Sequence, residues 1–110
     1  MSGPGWRFRE GDIVPTYVSL LNYTDHGIRD LKGSPERQQQ AEEQLRQLGG
    51  RFIGHYLTMG AYDYVLVWEA PDDETAARFM LTVGSAGNVR TTTLKAFPQD
   101  QFRDILRSLG

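Results

Sequence analysis

Between Thr16 and Tyr23 the chain reads TYVSLLNY, with β-branched, aromatic and aliphatic residues at both parities. Val18 and Leu20 fall on one face of an extended segment, and Tyr17 and Leu21 on the other. The pattern predicts a strand with two apolar faces, opened by Pro15. Thr24 then caps a short helical turn through Leu31, which Gly33 ends. Ser34-Pro35-Glu36 predicts a helix start: a capping hydroxyl, a proline suited to the first turn, and an acid at the positive end of the dipole. Ala41, Leu45 and Leu48 recur at i, i+4 and i+7. They form a narrow buried stripe on an otherwise polar helix, and Gly49-Gly50 stops it.

Phe52 to Met59 reads as a second strand, and Tyr62 to Glu69 as a nearly all-apolar third. The tight link Gly60-Ala61 predicts an antiparallel hairpin between them. Pro71-Asp72-Asp73-Glu74 starts another helix, with Ala76, Phe79, Met80 and Val83 as its apolar stripe. Gly84 to Gly87 releases the chain into a fourth strand, Asn88 to Phe97, centred on Thr91-Thr92-Thr93. Pro98 begins a final helix with Phe102, Ile105, Leu106 and Leu109 at helical spacing. This order predicts an α+β, ferredoxin-like βαββαβ fold with an extra C-terminal helix. Residues 15–110 are expected to form one domain, and residues 1–14, broken by Gly3, Pro4, Gly5 and Gly11, are expected to form a flexible N-terminal tail.

Two-sided apolarity has a consequence for assembly. The two crossover helices cover one face of a four-stranded sheet, and an uncovered apolar second face is unusual in a monomer. The terminal helix is short, so a second copy of the sheet is the expected cover and the chain is expected to be a homodimer or higher oligomer.

The chain has 110 residues, 12 basic and 14 acidic side chains, a net charge of −2 and no cysteine. Disulfides, thiolate metal sites and cysteine nucleophiles are therefore excluded. No long apolar run and no apolar h-region near the start point to a membrane or to export, so the expected compartment is the cytoplasm. The dispersed Lys and Arg residues argue against a nucleic-acid partner.

Candidate chemistry is sparse. His26 and His55 lie on different elements with no carboxylate at ligand spacing, so no metal is expected. Of the two, His55 is the better proton carrier, and surface placement is the simpler reading of both. Gly84-Ser85-Ala86-Gly87 leaves a helix for a strand, the reverse of a phosphate loop, and reads as a helix C-cap. Glu69, Asp72, Asp73 and Glu74 read as a helix-start signal. No Ser-His-Asp set has recognisable spacing, no catalytic residue is assigned and no cofactor is expected. The first strand ends at Asn22 and Tyr23, and the antiparallel fourth strand brings Arg90 beside them. The expected ligand site is an anion-accepting pocket of Asn22, Tyr23 and Arg90, closed by the turn Thr24 to Ile28. The structural alternative pairs Arg90 with an acid across the strands. Asp63 opens the third strand, expected to run parallel to the first, which places Asp63 at the far end of the sheet in a structural role.

Three segments taken together resemble the GYD-domain family: PTYVSLLNYTDHGIRDLKGSPER (residues 15–37), YLTMGAYDYVLVWEAPDDETAARF (56–79) and GNVRTTTLKAF (87–97). The family letters fit Gly60, Tyr62 and Asp63. The resemblance implies a small ferredoxin-like protein of the dimeric α+β barrel type. It brings no established activity and no catalytic residues. Family members begin near Pro15, which makes residues 1–14 an addition, and Trp68 stands where an aliphatic residue is expected. The combined reading is a homo-oligomeric small-molecule-binding or regulatory module, its ligand held between sheet and helices or at the dimer seam. The alternatives are a cofactor-independent monooxygenase or isomerase on the same scaffold, which rests on fold analogy alone, and an assembly subunit with no ligand. A polar-lined cleft supports a binder or enzyme, and a fully packed one supports the assembly subunit.

Overall fold

The computed structural model describes residues 14–110. Residues 1–13 of the expected N-terminal tail therefore lie outside the described residues. The elements run β1 (Thr16–Tyr23), α1 (Asp25–Arg29), a 3₁₀ turn (Leu31–Gly33), α2 (Ser34–Gln47), β2 (Arg51–Leu57), β3 (Tyr64–Glu69), α3 (Asp73–Ser85), β4 (Val89–Ala96) and α4 (Gln99–Ser108). The strands form one antiparallel sheet in the order β2-β3-β1-β4. This is the ferredoxin-like βαββαβ arrangement with the additional C-terminal helix that the residue pattern predicts.

Local signals explain most boundaries. The Thr24 hydroxyl caps α1 by accepting from the Gly27 N–H at 3.1 Å. Asp72 caps α3 by accepting from the Thr75 N–H at 2.8 Å. Gly49, with φ of 96°, ends α2 in a conformation that side chains disfavour. Two expectations are corrected. Ser34 is the first residue of α2 and does not cap it; Gly33 holds the cap position, and the Ser34 hydroxyl accepts from Arg37 Nη2 at 3.1 Å instead. The hairpin link is also longer than Gly60-Ala61, because β2 ends at Leu57 and β3 starts at Tyr64. Thr58 and Asp63 close that loop through a backbone bond of 3.0 Å, and Gly60 turns it at φ 134°.

The core lies between the sheet and the helices α2 and α3. Trp68, Phe79 and Leu45 are fully buried, with Tyr17, Leu21 and Leu66 around them. Trp68 stacks at 4.8 Å from the Tyr17 ring and meets Phe79 edge-on at 5.2 Å. A buried indole needs an acceptor, and Ser19 supplies it: Trp68 Nε1 donates to the Ser19 hydroxyl at 2.9 Å. Ser19 Oγ in turn lies 2.9 Å from Thr93 Oγ1, which ties three strands together beneath α3. Two glycines permit close approach. A Cβ on Gly27 would sit 2.1 Å from the Asn88 carbonyl, and one on Gly50 2.3 Å from that of Glu69.

Candidate functional site

Helix α2 meets the sheet with few large apolar side chains. Leu45 is its one fully buried residue of this kind, and toward its N-terminus Arg37, Ala41 and Gln44 face the sheet at i, i+4 and i+7. Small and polar side chains leave space that α3 does not fill. The result is a cavity of about 250 Å³ between α2, α3 and the covered face of the sheet. Its floor is Leu21, Leu66, Phe79 and Val89, and Arg37, Gln38, Gln44 and Asn88 stand among its polar lining. The cleft between sheet and helices is therefore open rather than fully packed.

Arg37 is the one charged side chain among the described residues lining this space. Its guanidinium donates to Asp30 Oδ2 at 3.1 Å and to Ser34 Oγ at 3.1 Å. The Arg37 side chain is 25% exposed and that of Asp30 70%, so the pair lies at the solvent boundary. Tyr64 lines the cavity from β3, and its hydroxyl lies 2.6 Å from His55 Nδ1. Burial, and then the neighbouring Tyr23, raise the Tyr64 phenol above its ordinary value, which keeps it protonated at neutral pH.

The three residues expected to bind a ligand do not meet on one face. Tyr23 lines the cavity. Asn22 and Arg90 are register partners one residue away, so strand alternation sends them to the opposite face. The Asn22 amide there donates to the Ala61 carbonyl at 2.9 Å. Arg90 is exposed and makes no ion pair among the described residues. His26 and His55 are both exposed and stand on different elements.

Asp63 requires a correction. β3 runs antiparallel to β1, because it forms a hairpin with β2 and is inserted between β2 and β1. Asp63 therefore lies beside the end of β1 and not at the far end of the sheet. Its N–H donates to the Leu21 carbonyl at 2.9 Å, and its carboxylate accepts from the Tyr23 N–H at 3.0 Å. The side chain continues the β1–β3 ladder one step beyond the strand, which is a structural role. Residue-by-residue reading missed Arg37, Gln38 and Gln44 altogether. The available signal was helical spacing, since Arg37 lies one turn before Ala41 on the buried stripe.

The chain matches the GYD domain over residues 17–106, nearly the whole of the described fold. It belongs to the GYD-domain family. Gly60, Tyr62 and Asp63 stand in the loop that the GYD chain closes against β1. It is 42% identical over 86 residues to a Thermus thermophilus protein named glutamine synthetase and cystathionine beta-lyase binding protein, an alignment covering 77% of this chain and 90% of that one. The GYD fold is also similar to the solved structure of MtbAldR, with a TM-score of 0.53 and 18% identity over 83% of this chain. The GYD chain spans 61% of the length of MtbAldR, and the likeness there is one of fold.

Proposed function

We propose that this GYD-domain protein is a regulatory module that binds an enzyme of amino-acid metabolism and works as a homodimer in the cytoplasm. The observation that carries the reading is the 42% identity to a relative named for binding glutamine synthetase and cystathionine beta-lyase. Two surfaces support it. On the sheet face away from α2 and α3, Val18, Leu20, Val65 and Val67 are only half-buried and Leu94 is 50% exposed. A second copy of the same face is the complementary cover, and an obligate interface of this kind buries ~2,000 Å² or more. Helix α4 offers the other surface. Phe102, Ile105, Leu106 and Leu109 are 42–76% exposed and fall at i, i+3, i+4 and i+7, the spacing of a helix that docks in an apolar groove.

The test is binding of the full chain to purified glutamine synthetase and cystathionine beta-lyase from its own organism, with light scattering on each partner alone. The expected result is a dimer that binds at least one of the two enzymes, and that loses about tenfold or more of that affinity in Phe102→Ser/Leu106→Ser while remaining dimeric. A monomer at micromolar concentration overturns the assembly half of the reading, and no binding to either enzyme overturns the partner half.

A further inference from the structure

We propose that the cavity under α2 and α3 is an effector site for a small amphipathic carboxylate, with Arg37 as the residue that recognises the carboxylate. The cavity combines an apolar floor of Leu21, Leu66, Phe79 and Val89 with a single formal charge among its described lining residues, and that charge is positive. No acid is among its described lining residues, so the lining opposes a cationic or zwitterionic occupant and suits an anion with an apolar body. A volume of about 250 Å³ suits a body of a few carbon atoms or one aromatic ring. A guanidinium is the side chain best shaped for a carboxylate, because its donors can engage both oxygens.

Arg37 already has one anionic partner. Asp30 holds it from outside the cavity at 3.1 Å, on a side chain that is itself 70% exposed. An exposed ion pair is weak. A ligand carboxylate held inside the cleft, in lower dielectric, competes with it effectively. Asp30 sits between α1 and α2, so exchange of Arg37 from Asp30 to a ligand alters the contact that links those two helices. The site thereby has a route from occupancy to surface geometry.

The two halves of the proposal are tested together by amide chemical-shift titration of the full chain. The probes are hexanoate and phenylacetate, each compared with its neutral amide, hexanamide and phenylacetamide. Shifts should concentrate at Tyr23, Leu66, Val83 and Val89, and the acids should bind about tenfold more tightly than the amides. Arg37→Gln should abolish that preference, with the acids falling to the affinity of the amides. Asp30→Asn removes the competitor and should tighten the acids while leaving the amides unchanged. Circular-dichroism melting of both variants establishes that they fold. Equal binding of acids and amides to the unmodified chain overturns the proposal. So does an acid preference that survives Arg37→Gln, a set of shifts centred on Asn22 and Arg90 on the other face, or the absence of any shift at millimolar probe. None of these outcomes bears on enzyme binding, which is measured separately.

Discussion

On the covered face of the sheet, Tyr17, Ser19 and Leu21 of β1 alternate inward with Trp68 and Leu66 of β3 and lie buried beneath α2 and α3. One residue along the same strands, Val18, Leu20, Val65 and Val67 are only half-buried, and Leu94 and Tyr56 are exposed. The composition of the two faces is similarly apolar. The difference is that the covered face carries a satisfied polar network, Trp68 to Ser19 to Thr93, at its centre, while the centre of the other face is aliphatic and polar residues such as Asn22 and Arg90 stand toward its ends. Specific polar pairing in a buried region fixes one arrangement of the monomer. Unpaired aliphatic surface is suited to adhesion and is the hallmark of an interface. The covered face accordingly governs the stability of the single chain, and under the proposed function the open face and α4 are the surfaces that meet a partner.

Substitutions on the two faces sharpen this contrast. Trp68→Ala removes the largest fully buried side chain and should cost ~3–5 kcal/mol in denaturant unfolding. Ser19→Ala removes few atoms but leaves the indole N–H without its acceptor, for an expected loss of ~1–3 kcal/mol. Val67→Ala, adjacent to Trp68 but on the open face, should cost about 1 kcal/mol in the monomer. A loss as large as that of Trp68→Ala would erase the distinction between the faces. Leu106→Ser on α4 should leave the unfolding midpoint nearly unchanged, within about 0.5 kcal/mol, because the side chain is already exposed.

The smallest expected effect is one of pH. Asp73 accepts from the Tyr17 hydroxyl at 2.5 Å and from Lys95 at 3.0 Å. The Tyr17 hydrogen bond first, and then Lys95, hold its carboxyl below the ordinary carboxylate value. A group whose folded pKa is depressed stabilises the fold above its unfolded value, near 4, and loses that contribution as pH falls. Asp73→Asn should therefore flatten the acid side of a stability–pH curve, the region where the Asp73 carboxyl titrates. The Tyr17 phenol moves the other way, raised by burial and then by Asp73, so it does not titrate at neutral pH. An unchanged acid limb in Asp73→Asn would show that Asp73 acts only as an exposed charge.

Much of this molecule is written locally. β1 begins and ends where its run of β-branched and aromatic residues does, Thr24 and Asp72 cap the helices they precede, and the apolar stripe of α3 is the one that packs. These features depend on period, propensity and hydrogen bonds within a few residues, all of which a linear reading captures. The candidate site is of another kind. Asn22 and Tyr23 are adjacent in the chain, yet the pleat sends one to each face, so only the second reaches the cavity. Asp63 meets Tyr23 because β3 inserts antiparallel between β1 and β2, a long-range pairing that no local pattern encodes. Arg37 looks like one more solvated charge on a polar helix until the sheet is set against Ala41 and Gln44 and leaves a space they do not fill. The sequence alone determined the elements and their order, because those follow from contacts between near neighbours. Which side chains share a cavity was decided only in the tertiary structure, because that depends on volume left over when separate elements pack.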